Sequence, residues 1–338
     1  MRRHQAHEGT ADPDRSRRAK DFEWFEETFN TTLASIEKTL RCHPELLRHA
    51  LSALVAGGHI LIEDVPGTGK STFATSIAAV TRGTVKSVHL TPDLLPSDLT
   101  GWNQFLPKEQ EYEFQRGAIF ANVFIAENLN RASPKTQAAL LGAMDFGQVN
   151  HESGTYPLPR PFSLIATQNP REEEGAYPIT SAVYDRFAMR LEIGEKWLSS
   201  DVLIDLVREP DWSHLLQQFG PARPVRSLDL LRMSRVASTV YVAPQIAEYL
   251  LALAEWISRS SNIKRGVSLR AKLSIARLMQ VSAAASGRDY VLPEDLQQMA
   301  TAALAHRVEL KAQAILNRLS TSHVVDEALQ VVQIPNLR

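Results

Sequence analysis

The sequence predicts an α/β protein: a parallel-sheet domain built around a phosphate-binding P-loop, with an inserted β-hairpin, followed by an all-α domain. Three observations carry this. As far as about residue 195, short apolar runs alternate with helical patterns, as in parallel sheets covered on both faces. A glycine-rich turn, "EDVPGTGKST" (63–72), leaves the first of those runs and enters a helix. Beyond residue 225 the strand pattern gives way to four successive helical segments.

In chain order, residues 1–21 are polar and mildly basic, without the apolar centre of a signal peptide, and read as a disordered tail. From Phe22 to about Ala56, apolar residues such as Phe25, Phe29, Leu33, Ile36 and Leu40 recur at spacings of three and four, predicting helix with a break at "RCHP" (41–44). The aromatics at 22, 24, 25 and 29 fit the packing face of that helix better than a nucleic-acid platform. Strands follow at "HILIED" (59–64), "VKSVHL" (85–90), "NVFIAE" (122–127) and "FSLIATQ" (162–168). The hairpin is expected within "GQVNHESGTYPLPRPF" (147–162), on its Ser153-Gly154 turn signal. The loop "TPDLLPSDLTGWNQF" (91–105) carries Trp102 and Phe105 either outward or beneath that hairpin. The nucleotide domain is placed at 22–197, a linker at 198–224, and the helical lid at 225–338.

The bulk numbers exclude several classes. With 338 residues, 44% hydrophobic and 22% charged, the chain has enough apolar material for a large core. A formal charge of -1 creates no global field for nucleic acid or an anionic membrane surface. The single cysteine, Cys42, rules out an internal disulfide and a cysteine zinc cluster, and suits a reducing cytosol. No unbroken apolar run is long enough for membrane insertion, so a cytoplasmic protein is expected. The ten histidines have no metal-ligand spacing.

The strongest signal is the turn itself. Gly67 and Gly69 allow the backbone of Asp64, Val65, Pro66 and Thr68 to curl so that successive N–H groups face phosphate oxygens. The following helix adds its positive N-terminal end. Lys70 is placed to reach the β- and γ-phosphates of ATP, and the Ser71 hydroxyl to hold Mg²⁺, while Thr72 packs or caps. Asp64 stands where the general P-loop pattern has a first glycine.

Taken with "LTPDLLPSDLTG", "GAIFANVFIAENLNRASPKTQAALLGAM", "TYPLPRPFSLIATQNP", "GAYPITSAVYDRF" and "GRDYVLPEDLQQMATAALAHRV", this turn makes residues 44–335 resemble the MoxR family of AAA+ ATPases, in which Asp64 is the usual residue. The resemblance implies an ATP-dependent, chaperone-like machine, usually a hexameric ring, acting with von Willebrand factor A-domain or similar proteins. It makes Asn169 the polar sensor of the attacking water and Arg186 an arginine finger for a neighbour's γ-phosphate. It makes Arg270 the lid arginine that closes onto the nucleotide, although Leu269 stands where the family prefers proline. Arg131 reads equally as an interface or a surface group.

Two positions depart from the family. Cys42 and His43 replace the Gly-Gln pair that often contacts adenine. Glu127 and Asn128 replace the Asp-Glu pair of the Walker B strand. Glu127 can still order the Mg²⁺ shell, through water. Asn128 has no carboxylate with which to polarise the attacking water, a loss of roughly 10² to 10⁴ in rate. The sequence therefore predicts ATP binding with attenuated hydrolysis, unless Glu127 or one of Glu172, Glu173 and Glu174 takes over. A nucleotide-gated scaffold is the second reading. A nucleic-acid-directed motor is disfavoured by the near-neutral charge.

Overall fold

The computed structural model describes residues 13–40, 43–108, 110–172, 174–194 and 225–336. The expected linker at 198–224 and Cys42 lie outside them, as does Glu173. Helix α1 (Pro13–Thr39) begins inside the segment expected to be a disordered tail, so residues 13–21 are helical instead. Residues 17–20 carry no apolar stripe, which hid the helix from periodicity. Its first turns are anchored at Asp21, which pairs with Arg232 at 2.7 Å, and at Trp24, whose ring lies 3.8 Å from the same guanidinium. Further along, Phe25 and Phe29 stack one turn apart and are fully buried with Ile36. Helix α2 (Pro44–Val55) packs beside it.

The chain then runs through β1 (His59–Glu63), α3 (Lys70–Ala78), β2 (Val85–His89) and α4 (Pro96–Thr100). It continues through β3 (Gly101–Leu106), β4 (Glu111–Arg116), β5 (Val123–Glu127) and α5 (Pro134–Phe146). Next come β6 (Gln148–His151), β7 (Gly154–Pro157), β8 (Ser163–Gln168), α6 (Ser181–Tyr184) and β9 (Phe187–Glu192). Five strands form one parallel sheet in the order β2-β5-β8-β1-β9. The four expected strands are all there, and β9 is a fifth. Arg190 interrupts its apolar run, concealing it in the sequence.

The hairpin expected at 147–162 is β6–β7. A second one, β3–β4, begins within the segment read as a loop (91–105) and runs on to Arg116. It does not tuck Trp102 and Phe105 under β6–β7: both stay about half exposed, and Phe105 meets Tyr112 across its own ribbon. Phe114 makes the joint instead, stacking on Tyr156 with ring centroids 3.9 Å apart.

Beyond residue 225 lie α7 (Ser227–Ala237), α8 (Pro244–Arg259), β10 (Ile263–Arg265), α9 (Leu269–Ala285) and α10 (Pro293–Leu304). The described chain closes with β11 (Glu309–Leu310), α11 (Ala312–Leu316) and α12 (Thr321–Val331). The lid is helical as expected, apart from the short antiparallel ladder β10–β11. A single apolar cluster runs from α1 and α2 across one face of the sheet into these helices, and a second cluster covers the other face. The lid is fixed at the start of β9, where the carbonyl of Phe187 accepts from His306 Nε2 at 2.8 Å and from Arg307 Nη2 at 2.6 Å.

Candidate functional site

In open parallel sheets ligands sit beyond the carboxyl ends of the strands, and there the glycine-rich turn lies. Gly67 and Gly69 take φ of 83° and 84°, and a Cβ on Gly67 would meet nothing within 4 Å. Conformation, not space, therefore calls for glycine there. Asp64 fastens the turn: its carboxylate accepts from Val65 N at 2.7 Å and from Gly194 N, beyond β9, at 2.6 Å. The Val65 carbonyl accepts from the Thr68 hydroxyl at 3.0 Å. Lys70 Nζ donates to the carbonyls of Asp64 and Val65 at 2.9 and 2.5 Å, so its ammonium lies folded along the turn. Partial burial lowers its pKa, while Asp64 and Glu172 act in the opposite sense. Pro66 is exposed, and Thr72 is half-buried in the first turn of α3.

Two elements meet beside the lysine. Ser71 Oγ, on α3, donates to Glu127 Oε2, at the end of β5, at 2.7 Å. Ser87 Oγ, on β2, donates to Glu127 Oε1, also at 2.7 Å. A hydroxyl and a carboxylate are the hard oxygen donors that Mg²⁺ takes, and this pair fits the ion with phosphate and water completing its shell. Among the described residues no group of three or more His, Cys, Asp or Glu is built to hold a metal alone.

Asn128, next along, adopts a left-handed conformation with φ 58° and ψ 56°, which asparagine tolerates better than most residues. Its N–H donates to Thr167 Oγ1 at 3.1 Å, and its Nδ2 donates to His89 Nε2 at 3.0 Å. Asn169 closes a turn, its Oδ1 accepting from Arg171 N at 3.1 Å, while its carbonyl accepts from Asn130 Nδ2. Glu172 is held by Arg131, whose Nε donates to it at 2.9 Å. A cavity of about 520 Å³ is lined by His43, Leu46, Arg190, Ile193 and Gln298, and Ile193 immediately precedes Gly194, the residue that bonds Asp64 of the turn.

The two expected arginines are elsewhere. Arg186 lays Nε and Nη2 on Asp145 at 3.0 and 2.8 Å, and Arg270 Nη1 reaches the same carboxylate at 2.7 Å. Asp145 follows Met144, whose carbonyl accepts from His59 at the first residue of β1. The pair thus stands at the amino edge of the sheet, a strand's length or about 13 Å from the turn. Arg270 therefore stands at the opposite edge of the sheet from its own chain's turn. Ser268, which caps α9, donates to Asp185 at 2.7 Å and holds that end of the lid beside Arg186.

Residues 59–189 match the model of the ATPase family associated with various cellular activities (AAA), and residues 259–328 match that of the AAA lid domain. An uncharacterized protein, YeaC, of Bacillus subtilis is 35% identical over 286 residues, spanning 85% of this chain and 88% of its own. Chaperone MoxR1 of Mycobacterium tuberculosis is 29% identical over 321 residues, spanning 92% and 83%. This chain belongs to the MoxR family of AAA+ ATPases. The crystal structure of a "putative ATPase" from Cytophaga hutchinsonii agrees with this MoxR-family fold, superposing with a TM-score of 0.86 at 28% identity over 96% of this chain and 100% of that one.

For a MoxR-family chain, sequence reasoning missed Ser87, His89, Thr167 and Asp145. Strand register would have found the first two: β2 pairs with β5 so that His89 lies opposite Glu127, and Ser87 shares its side of the strand. Asp145 carries no pattern, being a lone acid at the end of a helix.

Proposed function

We propose that this chain binds ATP with Mg²⁺, assembles into a ring, and shares each nucleotide between the turn of one subunit and the arginines of the next. The observation that carries this is that the glycine-rich turn with Lys70 lies at one edge of the sheet and Arg186 with Arg270 at the other. Gly67, Gly69, Lys70 and the N-terminus of α3 take the phosphates, Ser71 and Glu127 the ion, and the cavity beside Gly194 the base. Bound Mg²⁺ supplies charge neutralisation for the β- and γ-phosphates. Arg186 and Arg270, out of reach of their own turn, complete a neighbour's site. An arginine supplied in trans is worth roughly 10³ to 10⁵ in rate. The action is chaperone-like remodelling of a protein client, with a von Willebrand factor A-domain protein as the expected partner and the cytoplasm as the expected place.

Hydrolysis is slow in this reading. Asn128 offers an amide whose Nδ2 is already donated to His89, and Glu172 is occupied by Arg131. The same observation favours a second reading, a scaffold that binds ATP to assemble and hardly turns it over. Steady-state phosphate release measured beside ATP affinity separates the two. Asn128→Glu is expected to raise turnover at least tenfold at nearly unchanged affinity, despite about 1 kcal/mol of backbone strain from the left-handed position. Unchanged turnover in that variant, with ATP bound, sinks this account of the site.

A further inference from the structure

Two cations meet at one acid. Arg186 engages both oxygens of Asp145 and also donates Nη1 to the carbonyl of Ala182 at 2.9 Å. Arg270 arrives from the lid and shares Oδ1 with it. Guanidiniums sharing one oxygen repel each other strongly unless a negative charge lies between them. Asp145 is well placed for this, with a side chain only 14% exposed. The Arg186 hydrogen bonds, with the charges of both arginines, hold its carboxyl below the usual range. The arginines are unequally free: the Arg186 side chain is 18% exposed and donates from three nitrogens, while that of Arg270 is 48% exposed, hydrogen-bonds Asp145 by one nitrogen and keeps its Nε a looser 3.8 Å from Asp185.

We propose that Asp145 is a positioning residue that holds Arg186 and Arg270 side by side as one two-arginine clamp for the nucleotide phosphates of a neighbouring subunit. The inference rests on the shared-nucleotide reading above. Asp145 touches no phosphate itself. It sets the spacing of the two guanidiniums and, through Arg270, couples the position of the lid to that of Arg186. Without the acid the pair spreads apart and the neighbour loses both contacts together.

The test is release of a fluorescent ATPγS from the assembled full-length protein, chased with unlabelled nucleotide, so that no turnover is required. Asp145→Asn is expected to release the probe about tenfold faster than wild type, as Arg186→Ala does, because charge-assisted contacts to phosphate are lost. Lys70→Ala subunits keep Asp145 and both arginines, and mixing them with Asp145→Asn subunits should restore slow release. A misfolded Asp145→Asn subunit would bind no probe and could not be rescued. Asp145→Glu, which keeps the charge, should fall between the two. Wild-type release from Asp145→Asn beside fast release from Arg186→Ala overturns the role of Asp145 and leaves the shared site standing. Slower release from Asp145→Asn overturns it as well, since the acid would then be withholding the arginines. Wild-type release from Arg186→Ala refutes the shared site, and the clamp with it.

Discussion

Glu127 is gripped by two hydroxyls from two elements, Ser71 on α3 and Ser87 on β2, at 2.7 Å each. A glutamate in place of aspartate is one methylene longer, and a second hydroxyl gives that extra length a fixed rotamer. Ser87→Ala should therefore raise the Mg²⁺ concentration needed for ATP binding about tenfold, a hydrogen bond to a charged group being worth about 1.5 kcal/mol at the low end. A Mg²⁺ titration of nucleotide fluorescence reads this, and an unchanged midpoint would show that Ser87 does not order the carboxylate. The missing acid at 128 was legible in the sequence as a chemical absence. Its left-handed backbone and its tie to His89 were not, because both depend on which strand lies beside β5. Arg186 was legible as a residue but not its sheathing by Asp145, 41 positions away.

Strand β1 is anchored at its start by His59, whose Nε2 donates to the Met144 carbonyl while its Nδ1 accepts from Leu164 N at 3.0 Å. Burial pushes this imidazole down to about 4, so it folds as the neutral form. The unfolded chain then binds more protons than the folded one between about pH 6.5 and 4, and stability falls as the pH drops through that window. At pH 5 the loss from His59 alone is about 2 kcal/mol relative to pH 7.5, measurable by urea unfolding. His306, also lowered by burial, acts in the same direction. His59→Gln should flatten part of the slope; an unaltered slope would remove His59 from the cause. Among the strands, β1, β5 and β8 announced themselves by continuous apolar runs and β2 by its two valines, whereas β3, β4 and β9 are broken by exposed or charged residues and did not. Phe114 gathers the aromatic contacts of the β3–β4 ribbon, meeting Tyr156, His151 and Phe120. Phe114→Ala should cost about 2 kcal/mol of local stability and expose residues 106–111 to limited proteolysis, with little change in global unfolding.

At the scale of the molecule, the nucleotide domain and lid were expected as two bodies, yet one apolar cluster threads α1, α2, the sheet and the lid helices. Periodicity reports which face of a helix is buried but not what buries it, so a core shared between domains leaves no mark in the sequence. Within the described residues no helix is long and apolar enough to cross a membrane. The proposed division of the site between subunits would tie activity to association. Specific phosphate release should climb with protein concentration across the assembly range and level off once subunits are joined; a rate per subunit independent of concentration would mean that one chain suffices. The five parallel strands all run the same way, from the Asp145 edge to the Lys70 edge, and this gives the subunit a head and a tail. Joined head to tail, such bodies repeat one unlike contact without limit unless the rotation between neighbours brings the last onto the first. The tilt set by that contact, and not the chemistry at either edge, decides between a closed circle with every site filled and an open helix with one lone head and one lone tail.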